Sequence, residues 1–242
     1  MLFVSSCTQS QERVGTNKSP SHQPFTELLE KYVKGDRVNY NGLQNDQVKL
    51  NQYCKTLSEH APSPKWTKNE KLAYWINAYN AFTLKLIIDN YPINSITELH
   101  PTIYIPGLNT VWHKKFFKIG GVETSLDEIE HEILRKEFDE PRIHFAINCA
   151  SLSCPQLRNE AYEPDNLEEQ FEEQALLFIS DPKRNRITKD DVTISRIFSW
   201  FSSDFKRDGS LIEFLNKYSK VHISENAEIN YLKYDWNLND IK

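Results

Sequence analysis

Thr67-Lys-Asn-Glu70-Lys-Leu-Ala-Tyr-Trp75-Ile-Asn-Ala-Tyr-Asn80-Ala-Phe-Thr-Leu-Lys-Leu-Ile-Ile-Asp-Asn90 is the stretch on which the fold turns. Thr67 and Glu70 have the spacing of a capping box, in which hydroxyl and carboxylate satisfy reciprocal backbone donors at a helix start. Leu72, Trp75, Ile76, Tyr79, Phe82, Leu84, Leu86 and Ile87 follow at helical spacing and cover more than one face. The spacing predicts a long, largely buried helix that Tyr91-Pro92 ends. On either side the pattern alternates between helical and extended. Helices are expected over Pro24–Lys34, Leu43–His60, Ser125–Phe138, Leu167–Ile179, Ile197–Phe205 and Leu211–Tyr218. Extended pieces are expected at Val38–Tyr40, Arg142–Ile147 and Ile229–Trp236. Hairpins are expected over Phe116–Glu123, turning at Gly120-Gly121, and over Asn185–Ile194. No repeat and no interior linker interrupts the chain, so residues 24–242 read as one α+β domain. It is mostly helical and packed around a small, largely antiparallel sheet.

The chain has 242 residues, 39% of them hydrophobic and 26% charged. That composition excludes collagen-like, disordered and multi-span membrane classes. A net charge of −5 leaves no cationic field to capture nucleic acid, so no nucleic-acid partner is expected. Leu2-Phe-Val-Ser-Ser-Cys7 resembles the end of a bacterial lipoprotein signal, without the basic region and most of the apolar run that precede such an ending. Residues 1–7 are read as the remnant of that signal, with Cys7 as the lipid attachment point, and residues 8–23 as a flexible polar tether. The reading implies a cell-envelope protein, held to the membrane by its lipid and facing the periplasm or exterior. The other reading is a disordered tail in which Cys7 has no role.

Several stretches together resemble the bacterial and plant domain-of-unknown-function family 547. They are Val38-Asn-Tyr40 with Gly42-Leu43, Ala73 to Ala81, Ile129-Glu-His131 with Ile133-Leu-Arg135, and Arg142 to Ala150 running on to Ser153-Cys-Pro155. Ile197-Phe-Ser-Trp200, Asp204-Phe205 and Tyr234 to Asn239 complete the ordered set, which covers nearly everything after the tether. The bacterial members look secreted or lipid-anchored, in agreement with the reading of Cys7, and the resemblance brings no activity with it.

Candidate site residues are polar groups set where packing favours carbon. Asn77 and Asn80 form an i, i+3 pair on the flank of the long helix, able to orient a substrate or to satisfy crossing loops. In the Ser125 helix Glu130 falls inside the apolar arc and His131 on its edge, as a general acid/base or as half of an ion pair with Arg142. His144 is expected on a strand, sharing a face with Ala146 and Asn148 and facing away from Cys149. Cys54 reads as a core thiol. Cys149 and Cys154 either bond to each other across a turn or leave a thiol as nucleophile.

Two functions follow. One is a hydrolase or transferase acting on a peptide-like or envelope substrate. Its nucleophile is Cys154 or Cys149 (or Ser151 or Ser153, if the cysteines are bonded). His131, His144 or Glu130 acts as base, and Asn77, Asn80, Arg142 and Asn148 hold the substrate. The other is a non-catalytic binding module whose cleft is lined by aromatics such as Trp75, Trp112, Trp200 and Tyr79, with a structural Cys149–Cys154 disulfide. A metal site from Glu130, His131 and His144 lacks the i, i+4 histidine spacing of zinc-protease helices, so neither metal nor cofactor is expected.

Overall fold

The computed structural model describes residues 12–103, 105 and 108–241. Cys7 lies outside them. Helix α1 (Gln23–Tyr32) leads into a two-stranded antiparallel pair, β1 (Val33–Lys34) and β2 (Arg37–Val38). The expected single helix after Tyr40 is divided into α2 (Tyr40–Asn45) and α3 (Gln47–Glu59). Asn39 caps the first by accepting from the Gly42 amide at 2.8 Å, which starts the helix within the piece expected to be extended.

Helix α4 (Lys68–Ile88) is the axis of the domain, and both halves of the Thr67/Glu70 capping box are present. It is buried nearly throughout and packs against α2, α3 and the segment that carries Glu130. The Tyr74 hydroxyl ties it to α3 by donating to the Leu57 carbonyl at 2.6 Å. The Gly120-Gly121 hairpin follows, formed by β3 (Phe117–Ile119) and β4 (Val122–Thr124), with both glycines at positive φ.

After β4 the Ser125 hydroxyl accepts from the Glu128 amide at 3.1 Å, the expected start of a helix. The turns over Glu128–Leu134 are π-helical, and α5 (Arg135–Glu137) continues them. This wider winding replaces the α-helical spacing assumed for Glu130 and His131. Such segments recur at functional sites.

The expected strand at Arg142–Ile147 is instead a short helix, α6 (Ile143–Ala146). Pro141 opens the turn, and its carbonyl accepts from the His144 amide at 3.3 Å. A continuous apolar run is ambiguous between strand and buried helix, and packing on α7 (Leu167–Ile179) decides it here: Gln174 donates to the Phe145 carbonyl at 3.1 Å.

Strands β5 (Arg186–Ile187) and β6 (Asp191–Ile194) form the second hairpin. Strand β7 (Glu228–Tyr231) joins β6 in parallel, the exception in an otherwise antiparallel set of small sheets. Between them run α8 (Ile197–Trp200), α9 (Ser202–Phe205) and α10 (Leu211–Asn216), the first two dividing the single helix expected over Ile197–Phe205. One apolar cluster surrounds α4 and a second joins α6, α7 and the C-terminal elements.

The described part of the expected tether lies against the domain. Val14 donates to the Gly120 carbonyl at 3.0 Å and Thr16 to that of Ala61 at 2.9 Å, while Trp66 donates to the Thr16 carbonyl at 2.7 Å. Arg13 pairs with Glu128 at 2.6 Å and sits over the Trp75 ring. Polar composition gives no sign of these contacts, because they are made by backbone groups and by partners distant in sequence. Among the described residues no helix is long and apolar enough to cross a membrane.

Candidate functional site

A hollow of about 750 Å³ opens between the π-helical segment, α6, α8 and the segment after β7. Glu130, His131 and His144 converge on it with Asp127 and Arg135, and the Cys149–Cys154 bridge forms part of its wall. The Glu130 side chain is 12% exposed and accepts a hydrogen bond from the buried Tyr79 hydroxyl. Removal from water raises its carboxyl to about 7, against smaller lowering effects of Tyr79 and Arg135. At neutral pH this acid still holds its proton in a large fraction of molecules.

Behind Glu130 stands His144, stacked on Phe201 with ring centroids 3.9 Å apart. Its Nε2 is 2.8 Å from Asp204 Oδ2. Burial pushes the imidazole down to about 4, with Asp204 opposing that shift. It is therefore neutral at pH 7, and Nε2–H donates to the carboxylate. The remaining lone pair, on Nδ1, has no hydrogen-bond partner among the described residues and lies 3.9 Å from Glu130 Oε1. The nearby Asp127 and Asp204 carboxylates add to the effect of burial by opposing a negative charge on Glu130.

Burial alone would raise Asp204, yet hydrogen bonds from His144 and Arg135 outweigh it and hold the carboxyl well below the usual range. Arg135 grips Asp204 through Nε at 2.6 Å and Nη2 at 2.9 Å, and donates from Nη1 to His131 Nδ1 at 2.8 Å. His131 is lowered, chiefly by burial, with Asp127 opposing and Arg135 reinforcing the shift. The result is a charged pair (Asp204 and Arg135) beside a neutral His144 and a Glu130 that keeps its proton in a large fraction of molecules, with Arg135, His144 and Glu130 all bordering the hollow.

Not every expected residue reaches the site. Asn77 binds the backbone of Tyr162, donating to its carbonyl at 2.8 Å and accepting from its amide at 2.9 Å. Asn80 donates to the Ala146 carbonyl at 3.0 Å and accepts from the Asn148 amide at 2.8 Å, which fixes where α6 ends. Asn148 in turn donates to the Pro155 carbonyl at 2.7 Å and accepts from the Ala150 amide at 2.9 Å. These buried amides hold backbone, the structural alternative to orienting a substrate. Arg142 does not pair with Glu130. It is 2.6 Å from Glu140 and 2.7 Å from Glu168, and it borders a separate acidic hollow.

Cys149 and Cys154 are joined in a disulfide, the turn expected between them carries Ala150 at φ 63°, and neither sulfur is a free thiol. The serines left by that pairing are engaged elsewhere. Ser151 is buried and donates to Tyr234 at 3.2 Å, and Ser153 accepts from the Asp235 amide at 2.9 Å. Among the described residues the hydrogen bonds made by their hydroxyls include none to a histidine. Cys54 is the buried core thiol expected, pushed up to about 12 by burial. Among the aromatics, Trp112, Trp200 and Tyr79 line the hollow, whereas Trp75 packs in the core.

Among the described residues no group of three or more His, Cys, Asp or Glu side chains is arranged to hold a metal ion. Residues 63–179 match the family model described as protein of unknown function, DUF547. The protein carries a DUF547 domain. No curated protein and no solved structure matches the chain. The matched stretch of the DUF547 domain includes Tyr79, Glu130, Arg135 and His144 but ends before Asp204, Trp200 and Trp236. Asp204 escaped the sequence reading as a site residue. The signal was available, because Phe201, Asp204 and Phe205 fall at i, i+3, i+4, which places a carboxylate on an aromatic face.

Proposed function

We propose that the DUF547 domain is a hydrolase of a cell-envelope substrate and that Glu130 is its proton-transferring group. One observation carries the reading. An acid raised to about 7 borders an open hollow, backed by a neutral histidine whose lone pair faces it at 3.9 Å. The chemistry balances with one residue acting in turn as acid and base. Glu130 gives its proton to the leaving nitrogen or oxygen as the scissile bond breaks, and water supplies the new bond to the electrophilic carbon. The proton released by that water returns to the Glu130 carboxylate, which restores the acid. His144, Asp204 and Arg135 are positioning residues, and Tyr79 fixes the direction of the Glu130 carboxyl. No covalent intermediate on Cys149, Cys154, Ser151 or Ser153 is required, and the disulfide argues against the thiol version.

The envelope location rests on Leu2-Phe-Val-Ser-Ser-Cys7, read as a lipid attachment sequence, and on a disulfide that suits an oxidising compartment. Digestion of purified cell-wall polymer tests the activity, with free amines and reducing ends measured separately. Release of either product by the native chain, lost in Glu130→Gln, is the expected result. Equal release by both proteins, or none by either, overturns the reading.

A further inference from the structure

We infer that the ligand of this hollow is an uncharged oligosaccharide, longer than one ring, that stacks on Trp236 and Trp200. A second hollow of about 580 Å³ adjoins the first and shares Thr97, Tyr234 and Trp236 with it. Each volume suits a ligand of drug size, so the pair suits something longer. The indole of Trp236 belongs to both. Trp200 lies nearly parallel to it, with ring centroids 5.9 Å apart at 20°, and Trp112 meets it at 5.4 Å. Trp200 is 44% exposed and forms part of the wall of the first hollow, which leaves its ring open to a ligand there.

Flat aromatic faces beside short polar side chains suit the apolar ring faces and the outward hydroxyls of a sugar. The short polar groups here are Ser95, Thr97, Thr110, Asp235 and Asn237. An anionic ligand is disfavoured in the first hollow, because Arg135 directs its guanidinium nitrogens to Asp204 and His131. A peptide bound as an added strand is disfavoured as well, because no described strand residue lines either hollow.

The assignment rests on the acid role given to Glu130, which sets where the scissile bond lies, but the two are separable by experiment. Calorimetric titration of the full chain carrying Glu130→Gln would use hexamers of β-1,4-linked N-acetylglucosamine and of cellulose, their dimers, and a neutral hexapeptide. At least one hexasaccharide is expected to bind, more tightly than its dimer, with the peptide inert. Trp200→Ala and Trp236→Tyr should each weaken that binding, the first roughly tenfold, the scale of one lost aromatic contact. The thermal midpoint of Trp200→Ala should stay near that of its parent, because so exposed a ring contributes little to the core. Binding of the peptide alone, of no compound at all, or of sugars indifferently to both tryptophan substitutions overturns the inference. Saccharide binding without cleavage by the native chain refutes the Glu130 reading and leaves the ligand class standing.

Discussion

Glu130→Gln should stabilise the protein, and by an amount that depends on pH. The native carboxyl sits at about 7 because it is desolvated, whereas in the unfolded chain it returns to an ordinary carboxylate value near 4.5. Between those limits the native state holds a proton that the unfolded state has released, so stability falls as pH rises and levels off above 7. For a side chain only 12% exposed, that gap corresponds to about 3 kcal/mol between pH 4 and pH 8. The substituted amide does not titrate and can still accept from Tyr79, so the variant escapes the loss. The stability difference between variant and parent should therefore grow by about 3 kcal/mol over that range, equivalent to roughly 6–12 °C in melting temperature for a chain of this length. His22 and His144, both held near 4 by burial, act with the opposite sign below pH 6.5. They are present in both proteins and largely cancel in the difference. Urea unfolding followed by tryptophan fluorescence at pH 4, 6 and 8 gives the quantity directly. A difference that stays flat with pH would refute the reasoning, since Glu130 would then titrate as an exposed carboxyl does.

The same charges predict a bell-shaped rate profile for cell-wall hydrolysis. Activity should fall above about pH 7 as Glu130 loses its proton and below about pH 4 as His144 gains one; a profile rising through pH 9 would contradict this. Asp204→Asn removes the acceptor shared by Arg135 and His144, and should cost about 3 kcal/mol in urea unfolding together with most of the activity. Asn77→Ala leaves the Tyr162 backbone unpaired in the interior and should cost about 2–3 kcal/mol with kcat unchanged, because Asn77 does not line the hollow. Reduction of Cys149–Cys154 opens a short loop and should lower stability by about 2 kcal/mol in matched unfolding curves with and without dithiothreitol.

The long helix was legible because several independent signals agree at Thr67–Ile88: a capping box, helical spacing and a proline stop. The acidic-faced helix over Leu167–Ile179 and the glycine hairpin were legible for the same reason. At Arg142–Ile147 the signals conflicted. An apolar run favours a strand by composition, and the helix there depends on contacts with Asn80 and Gln174 that lie far away in sequence. Glu130 and His144 stood out as polar residues in apolar surroundings. Their pairing with Tyr79 and Asp204 did not, since those partners lie far away in the chain. Arg142 misled for a related reason, because Glu140 and Glu168 were nearer competitors for its guanidinium. The π-helical winding of Glu128–Leu134 has no composition signature, and it carries both Glu130 and His131 to the hollow.

The most direct test is a carbon-13 NMR titration of the glutamate side-chain carboxyls, with the Glu130 resonance assigned by its loss in Glu130→Gln. A midpoint near 7 is the predicted result. A midpoint near 4.5 in the native chain would contradict the claim that a desolvated acid lies at the centre of this domain.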